Sequence, residues 1–262
     1  NNPVRKFLNS IGIYPSPKNY VTKDFESDVK TTMVLNNGEL FLNNHIFDNS
    51  LRDKTVSFKE SSSSLIDTNE MIFPIIGQSD YMKNFNDENI WALSNQGYLA
   101  VAFQNLNNNR ITWIGGDSVF KDDSIFDQDN YDFVKSVTKW TFDHYQIANV
   151  TSDANGDFSN EVTLSFDEEP YKVKDTAVVD LYVELLYGVD KDGNEIYKPF
   201  EADDIQFELR MIDPYYRINL SKDSSDNKRY STGRFVLPDQ FGIFTFAIKY
   251  YRKGLSYIDV KD

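Results

Sequence analysis

Residues 200–217 read Phe-Glu-Ala-Asp-Asp-Ile-Gln-Phe-Glu-Leu-Arg-Met-Ile-Asp-Pro-Tyr-Tyr-Arg, and they decide the fold. From Ile205, apolar Phe207, Leu209 and Met211 recur at every second position, with Gln206, Glu208 and Arg210 between them. Successive side chains of a strand point to opposite faces, so the alternation predicts a half-buried strand with Ile205, Phe207, Leu209 and Met211 inward. Asp213-Pro214 is expected to end it, since proline has no N–H for a ladder and pushes its predecessor into an extended or turn shape.

Two other stretches repeat the pattern. Val179, Leu181, Val183, Leu185 and Tyr187 alternate with Asp180, Tyr182 and Glu184; Phe244, Phe246, Ile248 and Tyr250 alternate with Thr245, Ala247 and Lys249. Three such strands predict two sheets packed face to face, a β-sandwich. Asp192-Gly193 reads as a hairpin turn between residues 183–189 and 195–198.

Upstream the character differs. Residues 1–12 predict a short helix, with Pro3 at its first position, Val4, Phe7, Leu8 and Ile11 on one face and Gly12 just past its end. Met33–Leu35 and residues 40–42 could pair around Asn36-Asn37-Gly38. Residues 61–64, all serine, read as an exposed loop. Met71-Ile72-Phe73-Pro74-Ile75-Ile76 is apolar on both faces, with Pro74 marking an edge. Residues 98–103 and 111–114 are nearly continuous apolar runs, as expected of strands covered on both faces in an α/β layer, and Gly115-Gly116 closes the second. Residues 128–145 predict a helix: Phe133, Val137 and Trp140 share a face, and Asp127, Asp129 and Asp132 suit its N-terminal end. The switch to period-two patterning places a domain boundary near residue 147. The fold class is α+β overall: an α/β part over 1–146, then a β-sandwich over 147–262.

Composition excludes several chemistries. There is no cysteine, which removes disulfides, thiolate metal sites and a cysteine nucleophile. The 41 acidic against 27 basic residues give a net charge of −14, the wrong sign for nucleic acid or an anionic membrane surface. No run reaches membrane-helix length. The chain begins with Asn and no signal peptide follows, so a fragment or processed form is expected.

Candidate sites are few. Asp190-Lys191-Asp192-Gly193-Asn194-Glu195 hints at a calcium loop, but glycine stands fourth rather than sixth, so a hairpin turn is the better reading. The acids at 127–132 could hold a hard cation or simply match the helix dipole. His45 and His144 are the only histidines, and no nucleophile elbow stands near either. Asp203 and Asp204 are adjacent on a strand and would point to opposite faces rather than converge on one bond. Gly115-Gly116-Asp117-Ser118 lacks the remaining glycines and the lysine of a phosphate loop. Two N-glycosylation sequons occur, Asn149-Val150-Thr151 and Asn219-Leu220-Ser221. Asn219 is the better candidate for an exposed glycan, because it is expected in a polar segment beyond Pro214. No residue is assigned to catalysis, to a cofactor or to a metal.

Residues 200–217, with Leu237-Pro238-Asp239, Gly242-Ile243-Phe244 and Tyr250-Tyr251-Arg252-Lys253-Gly254, resemble the beta-subunit family of oligosaccharyltransferase, the wheat-germ-agglutinin-binding subunits. Residues 4–13, 56–58, 71–81, 97–104, 110–120 and 131–142 are similar to earlier parts of the same family. The likeness implies the end of a Rossmann-like, glutamine-amidotransferase-related domain without amidotransferase chemistry, followed by a luminal β-sandwich. It implies a non-catalytic structural subunit in the endoplasmic reticulum membrane, facing the lumen and anchored by a C-terminal helix absent from this sequence. Its partners would be the other subunits: the catalytic one, a ribophorin-II-like one and small membrane subunits. The complex transfers lipid-linked oligosaccharide to Asn-X-Ser/Thr. The alternative reading is a carbohydrate-binding β-sandwich module that stacks sugars on exposed Tyr or Trp.

Overall fold

The computed structural model describes residues 2–25, 33–35, 42, 45–46, 51, 54–151, 163–164, 172–212 and 214–261. The chain divides into two compact units, Asn1–Asp143 and His144–Asp262. It is an α+β chain made mostly of strands, with three α-helices among the described residues.

In the first unit, α1 (Pro3–Ser10) is capped by Asn2, whose side chain accepts from the Val4 amide at 3.0 Å, and Gly12 leaves the helix at φ +87°. Leu8 packs into an apolar cluster with Ile13, Ile72, Val101 and Phe103, and Ile11 lies against it. Val4 and Phe7, expected on the same face, are exposed. Among the described residues only the last turn of this short helix meets the core.

Strands β1 (Ile13–Pro15), β2 (Val21–Asp24), β3 (Met33–Leu35), β4 (Val56–Phe58) and β5 (Ser64–Ile66) lead to β6 (Ile72–Gly77) and the hairpin β7 (Met82–Phe85), β8 (Ile90–Leu93). The central pair is β9 (Tyr98–Gln104) and β10 (Arg110–Ile114). One sheet runs β1-β5-β9-β10 with β6 also beside β9, a second runs β2-β7-β8, and β3 pairs with β4. Met33–Leu35 therefore pairs with Val56–Phe58; Asn36-Asn37-Gly38 lies outside the described residues, and the Leu42 amide donates to the Ile75 carbonyl.

Every strand pair of this unit is antiparallel among the described residues, which differs from the parallel pairing of an α/β layer. Residues 105–109 explain β9 and β10, since so short a link makes a hairpin, whereas a parallel crossover needs a dozen residues or more. Burial still follows expectation on β9, where Leu99 to Gln104 are all buried.

After the single turn α2 (Asp122–Ile125) comes α3 (Gln128–Thr141). It buries Phe133, Val137 and Trp140, with Trp140 edge-on to Phe73 at 5.5 Å and Phe133 edge-on to Phe58 at 5.8 Å. It stops four residues short of the expected 145, because Asp143 and Gln146 take left-handed backbone at φ 59° and 60°.

The second unit begins with β11 (Ile147–Thr151), β12 (Thr163–Leu164), β13 (Thr176–Ala177), β14 (Val179–Val189) and β15 (Glu195–Pro199). Strands β16 (Gln206–Arg210), β17 (Pro214–Asn219), β18 (Ser221–Lys222), β19 (Arg229–Ser231), β20 (Phe235–Val236), β21 (Thr245–Tyr250) and β22 (Ile258–Lys261) follow. One sheet gathers β11, β12, β15 and β19 around β14, with β18 beyond β19; the other runs β17-β16-β21-β22; β13 pairs with β20. Val179, Leu181 and Val183 from the first sheet share one core with Phe207, Leu209, Phe246, Ile248 and Val260 from the second. Two antiparallel sheets closing on one core is the arrangement that the alternating strands called for.

Three details depart from the simple alternation. Met211 is 43 % exposed, because β16 ends at Arg210 and the chain turns. Asp213-Pro214 does not lead into a loop: Pro214 opens β17, which folds back on β16 with Gln206 opposite Asn219. On β14 Leu185 is half-buried but packs against the shared core as the alternation expects, while Leu186 and Gly188 are also buried and Tyr187 is only partly so. Register against β15 is continuous from Glu184 to Leu186 and shifts only between Leu186 and Gly188.

Candidate functional site

The acids opening α3 are engaged within the protein. The Asp127 carboxylate accepts from the Asp129 and Asn130 amides, a helix cap. Lys54 Nζ donates to Asp129 Oδ1 at 3.1 Å and Asp132 Oδ2 at 2.6 Å, and Asp129 Oδ2 accepts from the Thr55 amide at 2.9 Å. The Thr55 amide, and then Lys54, hold the Asp129 carboxyl below its usual value. Asn130 Oδ1 accepts from the Ser57 amide at 2.8 Å. This face clamps residues 54–57 to the helix. Among the described residues no group of three or more His, Asp or Glu is placed to hold a metal ion.

Gly115-Gly116 serves close packing. The Gly115 carbonyl accepts from the Ser62 amide at 2.7 Å, and its own amide donates to the Leu99 carbonyl at 2.8 Å. A Cβ on Gly116 would lie 2.8 Å from Ser61 Oγ. Ser61, Ser63 and Ser64 are buried, against the exposed loop expected of them. Only small side chains fit such an approach, and the Ser64 hydroxyl is buried there without a hydrogen-bond partner. Gln78 Nε2 donates to Ser63 Oγ at 3.3 Å, and Asn84 Nδ2 donates to Thr22 Oγ1 at 3.0 Å. A shallow depression of about 250 Å³ nearby is lined by Lys59, Glu60, Asp117, Ser118, Lys121, Asp123 and Ser124. Its charges are of both signs, and Lys121 pairs with Asp117 at 3.2 Å, so no positive field is gathered there for a phosphate.

The remaining polar candidates do not converge. Asp190 Oδ1 accepts from the Asp192 and Asn194 amides, each at 2.8 Å, with Gly193 at φ +89°, so the supposed calcium loop is a hairpin turn. Asp204 Oδ1 accepts from the Tyr250 hydroxyl at 2.8 Å, while Asp203 is exposed. Burial, and then that bond, push the Tyr250 hydroxyl up to about 12. His45 stands edge-on to Phe73 at 6.1 Å, and His144 is exposed.

The sequons lie in different surroundings. Asn219 is exposed at the end of β17, an outer strand, and its Oδ1 accepts from Gln206 Nε2 at 2.9 Å. Asn149 lies within β11 opposite Glu184, half-buried, with its side chain hydrogen-bonded to the Tyr197 hydroxyl.

One feature escapes strand periodicity. Register places Arg210 opposite both Pro214 and Thr245, so the β16–β17 turn and the loop entering β21 share one end of their sheet. The loops touch: a Cβ on Gly242 would lie 2.6 Å from Met211 Cε. They carry Ile212, Phe241 and Ile243, which are 94 %, 92 % and 90 % exposed. Apolar residues inside turn segments, Met-Ile-Asp-Pro and Asp-Gln-Phe-Gly-Ile, were the available signal. Surface clusters of this kind mark interaction sites.

The family description "OST48, N-terminal domain" matches residues 1–144, and "OST48 middle domain" matches residues 156–262. The chain is 38 % identical over its whole length to the dolichyl-diphosphooligosaccharide–protein glycosyltransferase subunit WBP1 of Saccharomyces cerevisiae, covering 59 % of that protein. It is 32 % identical to the subunit wbp1 of Schizosaccharomyces pombe, over 66 % of this chain and 40 % of that one. The 48 kDa subunit of the same glycosyltransferase from Danio rerio is 28 % identical, over 79 % of this chain and 48 % of its own length. The chain thus spans less than two thirds of the length of each of these curated relatives. Two adjoining descriptions from one family cover nearly all of it, and the chain belongs to the OST48 family.

Proposed function

We propose that this chain is a luminal part of a non-catalytic, structural subunit of the oligosaccharyltransferase complex, acting in N-linked glycosylation at the endoplasmic reticulum membrane. The observation that carries the reading is the likeness, over the whole of this chain and 59 % of the relative, to a protein named as a subunit of dolichyl-diphosphooligosaccharide–protein glycosyltransferase. A structural role needs docking faces rather than converging acids and bases, and the exposed loops at 211–212 and 241–243 supply one such face. The partners are the other subunits, including the catalytic one, a ribophorin-II-like one and small membrane subunits.

Residues 1–146 are inferred to be the C-terminal part of a Rossmann-like luminal domain and residues 147–262 a luminal β-sandwich. The first inference rests on family resemblance alone, since the described strand pairs of that unit are antiparallel, and the second on the shared core of two sheets. Asn219 and, less readily, Asn149 are the inferred glycosylation sites. The deciding experiment is purification of the tagged protein from mildly solubilised membranes, with acceptor-peptide glycosylation assayed in the eluate. The expected result is the intact complex with transfer activity; a protein recovered without other subunits would overturn the reading.

A further inference from the structure

We propose that the outward face of the β17-β16-β21-β22 sheet receives the protein's own N-linked sugar. The N-acetylglucosamine residues that begin the glycan at Asn219 lie across Gln206 and Lys249 and stack on Tyr251. The proposal rests on the luminal reading above, which supplies the glycan, and adds the surface that holds it.

Register puts the attachment point and the aromatic ring on one face. Asn219 stands opposite Gln206, and Lys249 opposite Asp259. Phe207 stands opposite Ile248, which brings Gln206 level with Lys249, so the four residues form one row across the sheet. Phe207, Ile248, Ile258 and Val260 are buried in the core, and their neighbours along each strand therefore face outward. Tyr251 joins the outward face through its hydroxyl, which donates to Asp259 Oδ2 at 3.3 Å. Its ring stands edge-on to Tyr257 at 5.0 Å, and the residue is 51 % exposed. Asn219 Oδ1 accepts from Gln206 Nε2 at 2.9 Å, a bond that leaves Nδ2 for the sugar and keeps the amide beside β16. Three strand spacings, about 14 Å, separate β17 from β22, a span that a few pyranose rings bridge.

The covalent tether names the occupant, and the chemistry of the face suits it. Both acids of these four strands are already paired, Glu208 with Arg210 and Arg217, and Asp259 with Lys261 at 3.7 Å. A neutral sugar needs no open carboxylate, only hydrogen-bonding groups beside an apolar plate. Gln206 and Lys249 provide the first. The Tyr251 ring provides the second, since its electron-rich face attracts the C–H groups that line one side of a pyranose. A weak site is enough, because a tethered ligand stands at an effective concentration on the order of millimolar.

The test follows release of the Asn219 glycan from folded protein, purified with the other subunits from native membranes, by an amidase that cuts between Asn and the first sugar. The parent is expected to release it slowly when folded and fast when denatured. Tyr251→Ala should release it about tenfold faster than the folded parent. Tyr251→Phe keeps the ring, loses only the bond to Asp259, and should match the parent. Tyr81→Ala, at an exposed tyrosine of the first unit, should match it too. Subunit recovery and thermal melting should be the same for every variant. Release from Tyr251→Ala no faster than from the parent overturns the inference. So does faster release that comes with loss of a subunit, because Tyr251 would then face a partner protein. An occupied Asn219 whose glycan leaves the folded parent as fast as the denatured one defeats this inference alone. A bare Asn219 defeats the luminal reading and the inference together.

Discussion

Gly115 lies so near Ser62 that a Cβ on the glycine would stand 1.8 Å from the serine carbonyl oxygen. The neighbour is backbone, tied by the Ser62 amide to the Gly115 carbonyl, and cannot swing aside as a side chain would. The cost of Gly115→Ala is expected to reach about 3 kcal/mol, the upper range for overpacking a closed site. Gly233→Ala meets open space but pays for left-handed backbone at φ +65°, roughly 1–2 kcal/mol. Urea unfolding of the two variants checks the order: Gly115→Ala is expected to unfold first.

Burial of the Tyr250 hydroxyl, and then its bond to Asp204, predict a loss of stability in alkali. The hydroxyl's value rises from 10.0 to about 12 on folding, so the folded state holds the proton more tightly than the unfolded one. The contribution is whole below about pH 10 and lost as pH climbs through 12, an effect of about 2–3 kcal/mol. Tyr250→Phe should flatten that part of the stability profile, measured by denaturant melts from pH 8 to 12.

At the acid end the sign reverses. Asp129 is held below its usual value, so its contribution is present above that value and is lost as pH falls through the folded one. Lys54→Met is expected to shift acid unfolding to higher pH. An unchanged acid midpoint would mean that the Thr55 amide alone does the work.

Strand alternation made much of the second unit legible in sequence. Ile205, Phe207 and Leu209 point inward as read, because burial on one face of a strand repeats every second residue. Met211 failed for lack of a signal that β16 stops one residue earlier, whereas Leu185 packs against the shared core as read. The serines at 61–64 were misread for a deeper reason: composition says loop, whereas their burial is dictated by glycines some fifty residues away. The apolar tip was hidden because turn residues are read for backbone shape rather than for what their side chains leave uncovered.

Phe207 and Leu209 are fully buried in the shared core, and truncating each to Ala is expected to cost about 2–5 kcal/mol. Against a typical stability of about 5–15 kcal/mol, the double variant should largely unfold this unit and deplete the assembled complex. Asp203→Asn with Asp204→Asn keeps an acceptor for Tyr250 and should leave both assembly and transfer near normal. Acceptor-peptide glycosylation per assembled complex separates the two. Normal assembly with lost transfer in the carboxylate variant would place this chain in the active site.

Glycan occupancy is expected at Asn219, which is exposed, and much less at Asn149, which is half-buried and bonded to Tyr197. Peptide mapping after endoglycosidase treatment of protein from native membranes reads both. A bare Asn219 would weaken the luminal assignment.

The position of Leu220 also fixes an order of events. It is buried between Asn219 of one sheet and Ser221 of the other, and its amide donates to the Ile205 carbonyl at 2.9 Å. The three residues of the sequon are therefore stitched across the seam where the chain leaves one sheet for the next. A transferase that must take all three into its own cleft would find them only on a chain still emerging. Folded protein offered afterwards should stay bare at Asn219, so a glycan found there would have to be attached before the sheets close.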